Sequence, residues 1–70
     1  MRSRWHLEMM LYSMSRVARL SRHNGDREYA RQAIERDRER DWRPNQREWH
    51  RMSEIETRFY ADGDWRGVAT

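Results

Sequence analysis

Apolar residues recur along this chain at the spacing of helices. At about 100° per residue, Leu7, Met10, Leu11, Met14, Val17 and Ala18 share one face of a first segment. Ser3 is placed to cap its start and Asn24-Gly25 to supply a left-handed closing residue. Arg16, Arg19 and Arg22 then sit at its negative end. The pattern predicts a helix over 3–23. A second helix, over 26–41, opens with Asp26 and Glu28, where negative charge is favoured. Tyr29, Ala30, Ala33 and Ile34 form its narrow stripe, small enough for another helix to approach closely. The run Glu35 to Asp41 alternates in charge. On a helix it sets like charges at i,i+4 against opposite charges at i,i+3, and such pairs of about 0.2–0.5 kcal/mol nearly cancel. Glu and Arg are good helix formers and nothing there is β-branched, so the run reads as a weakly held helix end anchored by Trp42.

The start of the third helix, over 45–60, is the clearest signal in the sequence. Pro44 disfavours helical geometry at Arg43, Asn45 can cap, and Glu48 stands three residues on to complete a capping box. Trp49, Met52, Ile55, Phe59 and Tyr60 form its buried stripe. Glu56 interrupts that stripe, either paired with an arginine of another helix or lying at the edge. Ala61-Asp62-Gly63-Asp64 reads as a stop, followed by a tail over 61–70 that Trp65 ties down. The expected architecture is all-α, a small three-helix bundle forming one domain over 1–70. Its core draws on Leu7, Met10, Met14, Val17, Ala33, Ile34, Trp49, Met52, Ile55 and Phe59.

The first helix has a second apolar strip, Trp5, Met9, Tyr12 and Leu20, with Arg16 beside it. One face can pack on the rest of the chain, and the other calls for a second molecule. Composition strengthens that inference. Seventy residues, 39% of them charged and none of them cysteine, leave little core and no disulfide or thiolate clip to reinforce it. For a chain of this size, burial at roughly 25 cal/mol per Å² barely offsets about 1.5 kcal/mol of lost entropy per residue. Self-association or a protein partner would supply the difference. Trp, Tyr, Met and Arg are also the types enriched at interface centres.

All fifteen basic residues are arginine, whose planar fork suits carboxylates and phosphates. Charge is uneven, +4 over 1–25, −1 over 26–41 and 0 over 42–70. Interleaved acids favour ion pairs over a one-sided basic patch. No apolar run approaches the ~20 residues of a membrane span. The N-terminal segment superficially resembles a targeting peptide, yet it carries most of the aliphatic and Met residues and so reads as structure. The expected compartment is the cytoplasm, with no membrane partner.

Catalytic motifs are not apparent. There is no G-x-S-x-G elbow, no cysteine nucleophile and no phosphate-cradling glycine cluster, so neither enzyme nor cofactor is expected. His50 and Glu54 share a helical face, while His6 and His23 stand alone, which is too little for a metal site. Nucleic acid is the substantial alternative. Arg43, Asn45, Gln46, Arg47, His50 and Arg51 crowd the start of the third helix, where a helix-turn-helix reads base edges and phosphates. Glu48 within that turn, Asp41 nearby, and Trp42 and Trp49 on either side weigh against it. The sequence therefore points first to a non-catalytic protein-protein interaction module. By size and style it resembles a small stoichiometric regulator or inhibitor of phage or plasmid type. Its interface would be Trp5, Met9, Tyr12, Arg16 and Leu20.

Overall fold

The computed structural model describes residues 3–39, 41–63 and 66. It consists of three helices, α1 (Arg4–Leu20), α2 (Asn24–Glu39) and α3 (Gln46–Asp62), with no strand among the described residues. α1 and α2 run antiparallel, and at their open end Arg4 Nη2 lies 3.2 Å from Asp37 Oδ1. α3 follows the direction of α1. Its C-terminus therefore reaches the α1–α2 corner, where Arg22 donates to the Asp62 carbonyl at 3.0 Å and His23 Nε2 lies 2.7 Å from the Asp62 carboxylate. α1 packs along both other helices, whereas α2 and α3 are joined chiefly by long side chains.

The helical stripes meet in one core. Leu7, Met14 and Val17 of α1, Ala30 and Ala33 of α2, and Trp49, Met52, Ile55 and Phe59 of α3 are buried. The two alanines let α1 lie close against α2, and Ala30, rather than Ile34, is the second buried residue of the α2 stripe. Met10 and Ile34 were expected inside but are half-buried, packed against the core from its edge. Tyr60, one residue past Phe59 and so about 100° further around α3, is exposed rather than buried. Trp42 is half-buried against the core, with the Arg36 guanidinium 5.6 Å from its ring centroid, so the end of α2 does have an aromatic anchor.

Polar residues complete this interior. Asp26, only 6% exposed, accepts two hydrogen bonds of 2.7 Å from Nε and Nη2 of Arg58. This charge-assisted fork ties the start of α2 to the last turns of α3. The hydrogen bond to Asp26, and then its charge, raise the pKa of Arg58 above its already high ordinary value. Glu56 turns out to have a serine partner. Ser13 Oγ of α1 donates to Glu56 Oε2 at 2.5 Å, which satisfies a half-buried carboxylate without an arginine from another helix.

The helix ends depart from expectation at one corner. α1 stops at Leu20, not near His23, and Asn24-Gly25 belongs to α2. Ser21 explains the change. It leaves helical geometry at ψ 140°, donates its N–H to the Val17 carbonyl at 3.0 Å, and accepts the His23 N–H on Oγ at 3.1 Å. A single buried serine thus closes one helix and leads into the next. At the other end α3 continues to Asp62, two residues beyond the expected stop, until Gly63 turns left-handed at φ 75°. The expectations for Asp64, Trp65 and residues 67–70 lie outside the described residues.

The two glycines should accordingly respond in opposite directions. Gly25 lacks a positive φ and has open space where a Cβ would stand, so Gly25→Ala should stabilise by about 0.4–1 kcal/mol. Gly63→Ala, forced into the left-handed region, should cost about 1–2 kcal/mol. Urea titrations followed by circular dichroism would measure both. A loss on Gly25→Ala would mean that the corner is not built as described.

Candidate functional site

The outer face of α1 presents the most distinctive surface. Trp5, Met9 and Tyr12 are 62%, 51% and 61% exposed, although each is large and apolar. They lie opposite Leu7, Met14 and Val17, so the same helix that fills the core displays a second apolar stripe. The start of the helix is capped. Ser3 Oγ accepts the His6 N–H at 3.4 Å, and His6 Nδ1 returns the bond to the Ser3 N–H at 3.4 Å. The residue completing this box is a histidine, whereas the usual glutamate or glutamine would have been legible in the sequence. The His6 ring also meets Trp5 edge-on, with centroids 5.1 Å apart. Trp5 is thereby presented from a capped, ordered first turn.

Of the five expected interface residues, the structure keeps three facing outward together. Arg16 is half-buried at the edge of the stripe, its guanidinium 6.0 Å from the Tyr12 ring centroid. Leu20 is half-buried and packs against the core, so it belongs as much to the interior as to the surface.

A second cluster gathers at the start of α3. Asn45 accepts the Glu48 N–H at 2.9 Å, and Glu48 Oε1 accepts the Asn45 N–H at 3.1 Å, which is the capping box read from the sequence. Glu48 does more than cap. Its other oxygen accepts from Arg36 of α2 at 2.9 Å, so its charge is already matched within the fold. Arg43 and Arg47 are exposed, with neither an ion pair nor a hydrogen bond among the described residues. Arg51 places its guanidinium 5.5 Å from the centre of the Tyr29 ring. Tyr29, Arg47, Glu48 and Arg51 together line an open groove of about 370 Å³. Gln46 is exposed, and His50 Nε2 stands 3.9 Å from the Glu54 carboxylate on the solvent side. The expected residues are therefore brought together, but Asn45 spends its side-chain oxygen on the cap. Residues 41–45 also lie outside helical structure between α2 and α3, a stretch longer than the three- or four-residue turn of a helix-turn-helix.

Two of the three histidines make structural contacts. His6 caps α1 and His23 contacts Asp62, and the described residues contain no group of three or more metal-ligating side chains. No described helix is long and apolar enough to cross a membrane. No family model matches the chain, and no curated protein or solved structure does either.

Tyr29 offers a reporter for the groove. Burial, and then the neighbouring Glu48 carboxylate, raise its phenol pKa above the ordinary value of 10.0, with Arg36 and Arg51 opposing. A raised folded pKa means that the unfolded chain releases this proton first. The contribution is thus complete below about pH 10 and declines as pH rises towards the folded pKa. Tyr29→Phe should therefore remove part of the alkaline loss of stability. Melting temperatures measured between pH 8 and 11.5 test this, and identical pH profiles for the two proteins would contradict it.

Proposed function

We propose that this protein is a non-catalytic binding module that docks on a protein partner through the outer face of α1. The observation that carries the reading is the exposure of Trp5, Met9 and Tyr12 as one stripe of an ordered helix. Exposed apolar contact of this kind is unfavourable in water and is characteristic of interaction sites. Trp and Tyr are the residues that most often dominate binding energy, and Met adapts its shape to a partner. Arg16 and Arg19 extend the stripe towards the C-terminal end of α1 and would orient the approach of an acidic surface. A role as a small stoichiometric regulator or inhibitor is consistent with a chain in which His6, His23, Asp26 and Glu56 are engaged in structural contacts.

One observation favours nucleic acid as a second reading. Because Glu48 is engaged by Arg36 and by the Asn45 cap, it offsets Arg43, Arg47 and Arg51 less than its place in the sequence implies. Those three arginines, at the N-terminal end of a helix, are suited to phosphates.

Affinity capture of the tagged chain under nuclease treatment, together with titration of duplex and single-stranded DNA at several salt concentrations, separates the two when compared across variants. In the protein-docking reading, Trp5→Ala and Tyr12→Ala each weaken partner binding by about 2 kcal/mol or more, and the circular dichroism melt of the isolated chain is retained. Arg47→Ala then changes mainly the salt sensitivity of encounter. If nucleic acid is the ligand, affinity falls steeply with salt. Arg47→Ala and Arg51→Ala flatten that slope, and Trp5→Ala leaves binding intact. The second pattern would displace the proposal.

A further inference from the structure

The outer stripe of α1 carries a register as well as exposure. Trp5, Met9, Tyr12, Arg16 and Arg19 follow one another at spacings of four, three, four and three. All five lie within roughly 40° of one line along the helix, and this alternation is the heptad seam on which two helices pack. Such a seam can meet a copy of itself in parallel or antiparallel. Charge discriminates between the two. In parallel, Arg16 stacks on Arg16 and Arg19 on Arg19, like charge on like. In antiparallel, with the two-fold axis beside Tyr12, residue n faces residue 24 − n of the other copy. Tyr12 then meets Tyr12, Trp5 meets Arg19, and Glu8 meets Arg16.

Each of these pairings is favourable. Arg over Trp is the strongest cation–π combination, and the stem of a long cation covers apolar surface while its head stays wet. Arg16 already lies against Tyr12, with its guanidinium 6.0 Å from the ring centroid. Glu8 is available, because its side chain is 63% exposed and its contact within the chain, to Arg4, is 3.8 Å long, while Arg4 also reaches Asp37 at 3.2 Å. It also stands in the N-terminal half of the stripe and the arginines in the C-terminal half, so only reversal of the second helix makes the face complementary to itself.

We infer that the outer face of α1 binds a second copy of this chain in an antiparallel α1–α1 pairing centred on Tyr12. The inference rests on the reading of this face as a protein-binding surface and names its occupant. A single helix stripe of this length buries less than a standard interface, so the dimer is a reversible one that dilution dissociates. It is a symmetric contact, each copy giving the same patch.

The absence of cysteine makes the geometry directly testable in the full chain. Sedimentation equilibrium from low micromolar to near-millimolar protein should show a monomer–dimer equilibrium, weakened at least tenfold by Trp5→Ala and by Tyr12→Ala. Glu8→Arg and Arg16→Glu should each weaken it severalfold, and the double variant should recover most of the loss. Under mild oxidation Tyr12→Cys should form a disulfide-linked dimer. Trp5→Cys and Arg19→Cys should each cross-link poorly alone and well when mixed. Circular dichroism verifies that each variant folds, and the cysteine series stands independently should Arg16→Glu fail to fold. Efficient self-linking of Trp5→Cys and of Arg19→Cys would establish a parallel pairing and overturn the inference.

A folded wild type that stays monomeric throughout would overturn it as well. If Trp5→Ala and Tyr12→Ala nevertheless abolish capture of another protein, the face still docks proteins and only the second copy is wrong as its occupant. Monomers that instead bind vesicles of phosphatidylserine and phosphatidylcholine would assign the face to a lipid surface, against both readings. A dimer unaffected by Trp5→Ala and Tyr12→Ala would place the contact elsewhere and overturn the inference, while the capture experiment decides the protein-docking reading separately.

Discussion

The structure depends on α1 being packed from two sides. It is the helix that lies along both neighbours, and its buried stripe of Leu7, Met14 and Val17 fills the space between them. α2 offers alanines and α3 offers large side chains, so close approach on one flank is matched by bulk on the other. Without α1, α2 and α3 would retain mainly their long-range polar links: Asp26 with Arg58, Glu48 with Arg36, and the Tyr29 hydroxyl 3.5 Å from the Glu48 carbonyl. Those links set the angle of a bundle that the apolar core holds together.

The polar interior also explains how a chain with few aliphatic residues maintains three helices. Burying a carboxylate is costly unless its hydrogen-bonding capacity is met. Asp26 meets that condition through both oxygens, and Glu56 through a serine on the facing helix. The fork geometry at Asp26 is specific to arginine, which gives at least one position where the exclusive use of that residue has a structural reason beyond charge.

Features encoded within a few residues were legible in the sequence. The Asn45–Glu48 capping box and the stripe of α3 from Trp49 to Phe59 follow from local chemistry and periodicity, and both are found in the structure. The outward trio of Trp5, Met9 and Tyr12 was equally visible, because the same period separates the two faces of α1. What escaped was either long-range or locally ambiguous. Nothing near Asp26 announces a partner thirty-two residues away, and nothing near Ser13 announces Glu56. Asn24-Gly25 resembles a helix stop, but a buried serine three residues earlier took that role and left the glycine free to begin the next helix. In the sequence alone, the charge of Glu48 dilutes that of its arginine neighbours. Only the fold reveals that Arg36, twelve residues earlier, already engages it.

The packing of α1 from two sides makes tolerance to substitution very uneven along the chain. On α2, Arg31, Gln32, Glu35 and Arg38 face solvent, and of these only Arg31 has a side-chain partner among the described residues, Glu28 on its own helix. Changes at such positions ordinarily move stability by no more than about 0.5 kcal/mol. α1 has less of this slack. Leu7, Met14 and Val17 answer to the core, Ser13 to α3, Ser3 and His6 to the cap, and Trp5, Met9 and Tyr12 to the partner proposed for the outer face. Among chains that keep this fold, drift should collect on the back of α2 and spare the buried side of the first helix.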